Sequence, residues 1–273
     1  VAIAACARRE AAPLGPGGAQ RVVSLAPSTT EALFAIGAGD RVVARSRYCD
    51  FPPEALALPV VGDVEPDLEG VIELHPDLVV GVGGLTSDRF AEKLGARRIP
   101  TWFPRSSSLA AIDELLVGLG ERTGHVQDAR RLTQAIDAHE RAIERAVAGE
   151  PRPGVILVVS LGPVVAAGPS SFASELLAAA GARNVVSEGA AWPVVGFERI
   201  LDLDPDIVLD AADVDAAEVT RITASAPGWS GLRAVREGHV VLVRDGRILR
   251  AGPRIADGLA VLARVLHPHV AVP

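Results

Sequence analysis

The chain has 273 residues, a formal net charge of −7 and 49% hydrophobic residues, enough apolar material for one large or two medium cores. An acidic balance with a single lysine, Lys93, argues against nucleic-acid binding, which needs clustered basic side chains to meet phosphates. No apolar run approaches the roughly 20 residues that a membrane span requires.

The chain opens on an alanine-rich apolar stretch with no initiator methionine. Ile3 to Cys6 resembles a lipobox, so this stretch reads as the remnant of a signal peptide whose Cys6 becomes lipidated and anchors the chain to a membrane. The Pro- and Gly-containing segment up to Gln20 is then a tether, residues 1–20 stand apart from the folded part, and that part is expected outside the cytoplasm. Cys49 is left without a partner, with a bond to Cys6 as the alternative.

Arg21 to Leu25 predicts a first strand. Ser28 to Glu31 has the spacing of a capping box, opening a helix that Gly37 ends. Free N–H groups at such a helix start collect ligands in α/β sheets, which nominates Ser28 and Thr29. Val42 to Ala44 predicts a second strand, and Ser46 to Glu54 a loop, by its Pro-Pro pair and Asp50. That loop carries the only tyrosine, Tyr48; with Phe51, on either side of Asp50, it suits a ligand face better than a core. Leu78 to Gly81 predicts a third strand running into Gly83 and Gly84, where missing side chains let a ligand approach the backbone. A helix from Ser87 to Gly95, a strand from Arg98 to Phe103 and a helix from Leu109 to Gly120 follow.

Between residues 124 and 149, Val126, Ala129, Leu132, Ile136, Ile143 and Val147 recur at three- and four-residue steps, with no Gly or Pro between them. This predicts one long amphipathic helix of about 36 Å, a natural brace between two lobes. Beyond it come a strand from Val155 to Ser160, a helix from Phe172 to Gly181, the loop Gly189 to Pro193 and a helix from Phe197. A strand from Ile207 to Leu209, a helix near Ala216 to Ser225, a strand from Val240 to Val243, the loop Arg244 to Arg254 and a last helix to Leu266 complete the chain. His267 and His269 read as a frayed end.

Two lobes follow from an internal repeat. Glu69 followed by Pro76-Asp77 and a β-branched run matches Glu198 followed by Pro205-Asp206 and a second such run. Upstream, Pro27 to Gly37, with Glu31, matches Pro169 to Gly181, with Glu175, in the same order. The expected organisation is a lobe over 21–123, an inter-lobe helix over 124–149 and a lobe over 150–273, both lobes α/β with sheets flanked by helices. Signs of catalysis are thin: there is no G-x-S-x-G elbow and no phosphate loop, and the six histidines lack metal-ligand spacing. Capture of a small molecule rather than its conversion is the expectation. An exported enzyme acting on a metal chelate is the alternative, with Asp50 or Asp63 as the base.

Five stretches taken together, Arg21 to Glu31, Ser46 to Glu54, Leu68 to Val80, Trp192-Pro193 with Glu198, and Arg250 to Arg254, resemble the substrate-binding proteins of ABC importers for cobalamin. The wider group takes up haem, ferric siderophores and cobalamin and has two lobes joined by one long helix, the class III architecture. The resemblance covers about Arg21 to Leu266. It implies that Tyr48 lies against the corrin, that Gly246, Arg247, Ile248, Leu249 and Arg250 touch the ligand from the other lobe, and that Trp192 is an aromatic of the cleft. It implies that Glu69 and Glu198 meet arginines of a dimeric permease, and that the chain is a monomer with no cofactor of its own. The resemblance also leads to tryptophans in the loops Gly62 to Val64 and Val82 to Gly84, where this chain has none. Haem, a ferric siderophore or another metal chelate is the alternative ligand.

Overall fold

The computed structural model describes residues 17–63, 65–84, 86, 88–212, 222 and 228–273. Cys6 with its lipobox, most of the tether, Ser87 and, apart from Ile222, the helix expected near Ala216 to Ser225 lie outside the described residues. The chain divides into two compact units, one of residues 1–105 and 114–132, the other of 106–113 and 133–273.

The first unit is built on four parallel strands, β1 (Val22–Ser24), β2 (Val42–Arg45), β3 (Leu78–Val80) and β4 (Thr101–Trp102), in the order β2-β1-β3-β4. Its helices are α1 (Pro27–Ala35), α2 (Leu68–Glu73), α3 (Asp88–Gly95) and most of α4 (Leu109–Thr123). Every β1 and β3 residue is buried, as expected of a parallel sheet covered on both faces. Val23, Val79, Val71, Phe90 and Leu94 form the centre of one core cluster.

The second unit holds β5 (Gly154–Leu161), β6 (Val164–Ala166), α6 (Phe172–Ala179), β7 (Arg183–Asn184), α7 (Phe197–Leu203), β8 (Ile207–Asp210), α8 (Arg233–Arg236), β9 (Val240–Leu242) and α9 (Ile255–Leu266). Its sheet runs β6-β5-β8-β9, with β7 also on β5. All pairs are parallel except β5 with β6. The long helix α5 spans Val126–Val147, within the expected range, with Ala129, Ile136, Ile143 and Val147 buried.

The repeat is a repeat of structure. With β6 set aside as a hairpin addition, β7-β5-β8-β9 reproduces β2-β1-β3-β4. In both copies the first helix ends on a glycine of positive φ, Gly37 at 83° and Gly181 at 81°. The next residue's N–H reaches back to the helix, Ala38 to Leu33 O (2.8 Å) and Ala182 to Leu177 O (2.9 Å). The residue before each Pro-Asp, His75 or Asp204, is left-handed at 46° and 36°. Each Asp then ties down the start of the first strand. Asp77 accepts from the N–H groups of Gln20 (2.7 Å) and Arg21 (2.9 Å), and Asp206 accepts from that of Gly154 (2.7 Å).

Several expectations need correction. The capping box is absent: α1 begins at Pro27, N-capped by Ala26 with no side-chain hydrogen bond, because proline already supplies helical φ and has no N–H to satisfy. Side-chain capping occurs in the second copy, where Ser171 Oγ accepts from Ser174 N at 3.1 Å. The matched glutamates also diverge: Glu31 is buried, whereas Glu175 is exposed and accepts from Leu109 N at 2.7 Å. That bond joins the start of α4 to α6 within the second unit. Arg98 sits in a left-handed turn (φ 62°), so the fourth strand starts only after Pro100. The C-terminal histidines are not frayed: His267 is buried with Nε2 3.1 Å from Ala180 O, and His269 pairs with Glu150 at 2.8 Å.

Candidate functional site

In an open parallel sheet, ligands gather at the carboxyl ends of the strands, where the connections from two adjacent strands leave in opposite directions. In the first unit that point lies between β1 and β3, and the loops after β1, β2 and β3 surround it. The loop after β1 holds Ser28 and Thr29. Thr29 is fully buried and its hydroxyl is committed: Thr30 Oγ1 donates to Ser24 Oγ (2.8 Å), Ser24 Oγ lies 2.8 Å from Thr29 Oγ1, and Thr29 donates to Ala26 O (2.9 Å). A hydroxyl chain of this kind locks the helix start to the strand, so Thr29 supports the loop and has no surface to offer a ligand. Ser28 is also buried, at 7% exposure.

The loop after β2 is the most exposed aromatic surface in this unit. Tyr48 is 53% and Phe51 38% exposed, with Asp50 exposed between them. Cys49 is a free thiol turned inward, its Sγ 3.3 Å from Ser46 Oγ. The loop is held from beneath by Arg45, a residue that pattern reading ended the strand before. Its guanidinium is buried and donates to the carbonyls of Ala55 (2.8 Å), Ser46 (3.1 Å), Arg47 (3.3 Å) and Leu56 (3.3 Å). Asp63 is exposed and accepts from Glu65 N at 3.2 Å.

After β3, Gly83 is required by its own chain rather than by a ligand: a Cβ there would lie 2.7 Å from Phe103 O. Gly84 has φ 92° and open space around it. It is the glycine of the pair that leaves room beside the backbone.

In the second unit Trp192 is 38% exposed, its ring edge-on to Phe172 at 5.9 Å and 68°. Its loop is pinned to the end of β6, where Ala166 N donates to Pro193 O (3.2 Å) and Gly168 N to Ala191 O (2.8 Å). Only glycine fits at 168, since a Cβ would meet Ala190 O at 2.0 Å. Neither β6 nor the Phe172 contact was legible, because a three-residue strand and an edge-to-face pair twenty residues apart leave no periodic signal.

After β9 the expected loop contains a 3-10 turn, Gly246–Leu249, N-capped by Asp245, which accepts from Arg247 N at 3.0 Å. Arg247 Nε also reaches both Asp245 oxygens, at 2.9 and 3.1 Å, and Asp257 lies 3.4 Å from Arg247 Nη1. The Arg247 hydrogen bonds hold the Asp245 carboxyl below the ordinary range, and Asp245 in turn raises Arg247. Two of the expected ligand contacts are therefore structural. Arg247 is spent on two carboxylates, and Ile248 is fully buried beneath α9, which approaches closely because Gly258 lacks a Cβ that would meet Arg247 O at 2.9 Å. Gly246, Leu249 and Arg250 remain half-buried.

Glu69 and Glu198 occupy the same position in their copies, second residue of α2 and of α7, and both are exposed. These helices lead into β3 and β8, so their first turns point toward the carboxyl ends of the strands.

The family model for periplasmic binding proteins matches residues 22–245. An uncharacterized ABC transporter substrate-binding lipoprotein of Bacillus subtilis, YvrC, is 27% identical over 256 residues, 91% of this chain and 80% of that protein. A vitamin B12-binding protein of Photorhabdus laumondii is 29% identical over 238 residues, 86% of this chain and 83% of that one. The crystal structure of a periplasmic heme binding protein from Pseudomonas aeruginosa shares the fold at a TM-score of 0.79 and 27% identity, over 93% of this chain and 94% of that one.

Proposed function

This chain belongs to the periplasmic binding protein family, and from that premise we propose that it captures a corrinoid outside the cytoplasm and delivers it to an ABC permease. The observation that carries the ligand class is the exposure of Tyr48, Phe51 and Trp192 on loops at strand carboxyl ends. Aromatic faces of this kind gain by stacking on a flat macrocycle. The likeness to a vitamin B12-binding protein supports the same class. Cys6 anchors the chain through a lipid, a reading supported by its Ile3 to Cys6 motif and by the relative named as a lipoprotein. Glu69 and Glu198 dock to the permease, their support being equivalent exposed positions on two equivalent helices.

Haem is the second reading, favoured by the Pseudomonas aeruginosa likeness and by the exposed phenol of Tyr48, a group of the type that serves as an axial haem ligand. Titration with cyanocobalamin and with haem, followed by absorbance and by melting, separates the two. On the corrinoid reading, cyanocobalamin raises the melting temperature, Tyr48→Ala weakens it about tenfold, or about 1.4 kcal/mol, and Tyr48→Phe changes little. A melting shift with haem alone, together with a haem spectrum altered by Tyr48→Phe, makes haem the ligand.

A further inference from the structure

We infer that Arg45 is a positioning residue for ligand capture: it holds the Tyr48 to Phe51 loop in its binding conformation before any ligand arrives. This assignment rests on the reading of that loop as part of the ligand site.

Arg45 is 7% exposed, and among the described residues it has no carboxylate partner within ion-pair distance. A buried charge without a counter-ion is unusual and persists only when its donors are satisfied. Here the partners are carbonyl oxygens on both arms of one loop, Ser46 and Arg47 at its start and Ala55 and Leu56 further on. The main chain of the same residue closes the loop. Arg45 N donates to Pro59 O (2.9 Å), and Arg45 O accepts from Val61 N (3.0 Å). Ser46 to Val60 is thus a compact loop whose ends meet at Arg45 and whose middle is filled by its guanidinium.

The two faces of this loop differ sharply. The inner one buries Cys49 and Ala55 and spends four carbonyls on Arg45, whereas Tyr48, Phe51 and Leu56 are exposed at 53%, 38% and 54%. These side chains stand on a backbone whose two arms are joined by the carbonyl contacts to Arg45. A planar guanidinium with donors in a fixed fork can bridge four carbonyls, which a lysine ammonium on a flexible stem cannot reproduce. Ordering the loop in advance spares the ligand that entropic cost.

The test uses the whole chain with ring-13C tyrosine, in which Tyr48 is the only reporter. Without ligand, Arg45→Lys and Arg45→Met should both shift and broaden that signal. Cyanocobalamin affinity should fall at least about tenfold in each. In a Tyr48→Ala background the same substitutions should cost less than about twofold, because a residue that acts through Tyr48 is not additive with its loss. Melting curves report the folded fraction of each variant separately. An unchanged tyrosine signal in both variants overturns the assignment, as does an Arg45 loss that multiplies in full with the Tyr48 loss. Should the native chain bind no corrinoid, the functional reading falls, and the tyrosine signal alone decides the role of Arg45.

Discussion

Buried charge is handled in opposite ways at two residues. Arg45 is surrounded by acceptors, whereas Glu140 on α5 has a buried Oε1 with no hydrogen-bond partner among the described residues. Burial chiefly, then the carboxylates of Asp113, Asp137 and Glu144, push the Glu140 carboxyl from its ordinary 4.5 to about 7, against a lowering by Arg141. Burial and Asp137 raise Asp113 as well. The folded chain therefore holds the Glu140 proton more tightly than the unfolded chain does. Between the two values the folded state binds more protons, so stability falls as pH rises from 4.5 to about 7 and this contribution is level above that. Glu140→Gln should flatten that slope and raise stability near pH 8 by about 1 kcal/mol, less than the full shift implies because the side chain is partly solvated. Urea unfolding across this range tests it; a variant with the native slope would place the titration elsewhere.

Among the elements, the Pro-Asp units do the same work twice. Each ends a helix on a left-handed residue, turns the chain with proline and uses the aspartate to fasten the first strand to the third. The Gly154 N–H, and after it the Arg233 guanidinium at 2.9 Å, lower the Asp206 carboxyl below its ordinary value. A lowered carboxyl stabilises the fold above the ordinary carboxylate range, and that contribution is lost as pH falls through the lower, folded value. Because Asp206 is about half exposed, its replacement by Ala should cost only about 1 kcal/mol at neutral pH. Asp77→Ala should cost a similar amount, about 1 kcal/mol, since it loses the same kind of bond to backbone N–H groups. Unequal effects, one near zero and the other large, would show that the two tethers are not energetically equivalent.

For the whole molecule the repeat matters through what it places outside. Glu69 and Glu198 are exposed on the first turns of equivalent helices, where the helix dipole favours a carboxylate, and among the described residues neither side chain makes a hydrogen bond or ion pair. Two such carboxylates can each meet an arginine of a symmetric partner, setting orientation as well as attraction. Replacing both with Ala should abolish uptake in a transport assay while melting stays within roughly 0.5 kcal/mol of native and ligand affinity is unchanged. Loss of ligand affinity in proportion to transport would instead put the two glutamates in the binding site.

What the sequence alone determined is whatever a few neighbouring residues encode. Apolar residues at helical steps outlined α5, and the Glu and Pro-Asp spacing marked two lobes before any strand order was known. The exposed position of Tyr48 and Phe51 likewise followed from a loop rich in proline. The tertiary structure decided what depends on a partner far along the chain: the burial of Arg45 beneath its loop, the steric need for Gly83 against Phe103, Ile248 under α9, Trp192 on Phe172. Side-chain burial and satisfaction are properties of segments brought together, such as Glu175 with Leu109 across 66 residues, and no local pattern records which segments will meet. For that reason the lobes were legible from the sequence, while the division of each candidate loop into supporting and outward-facing residues was not.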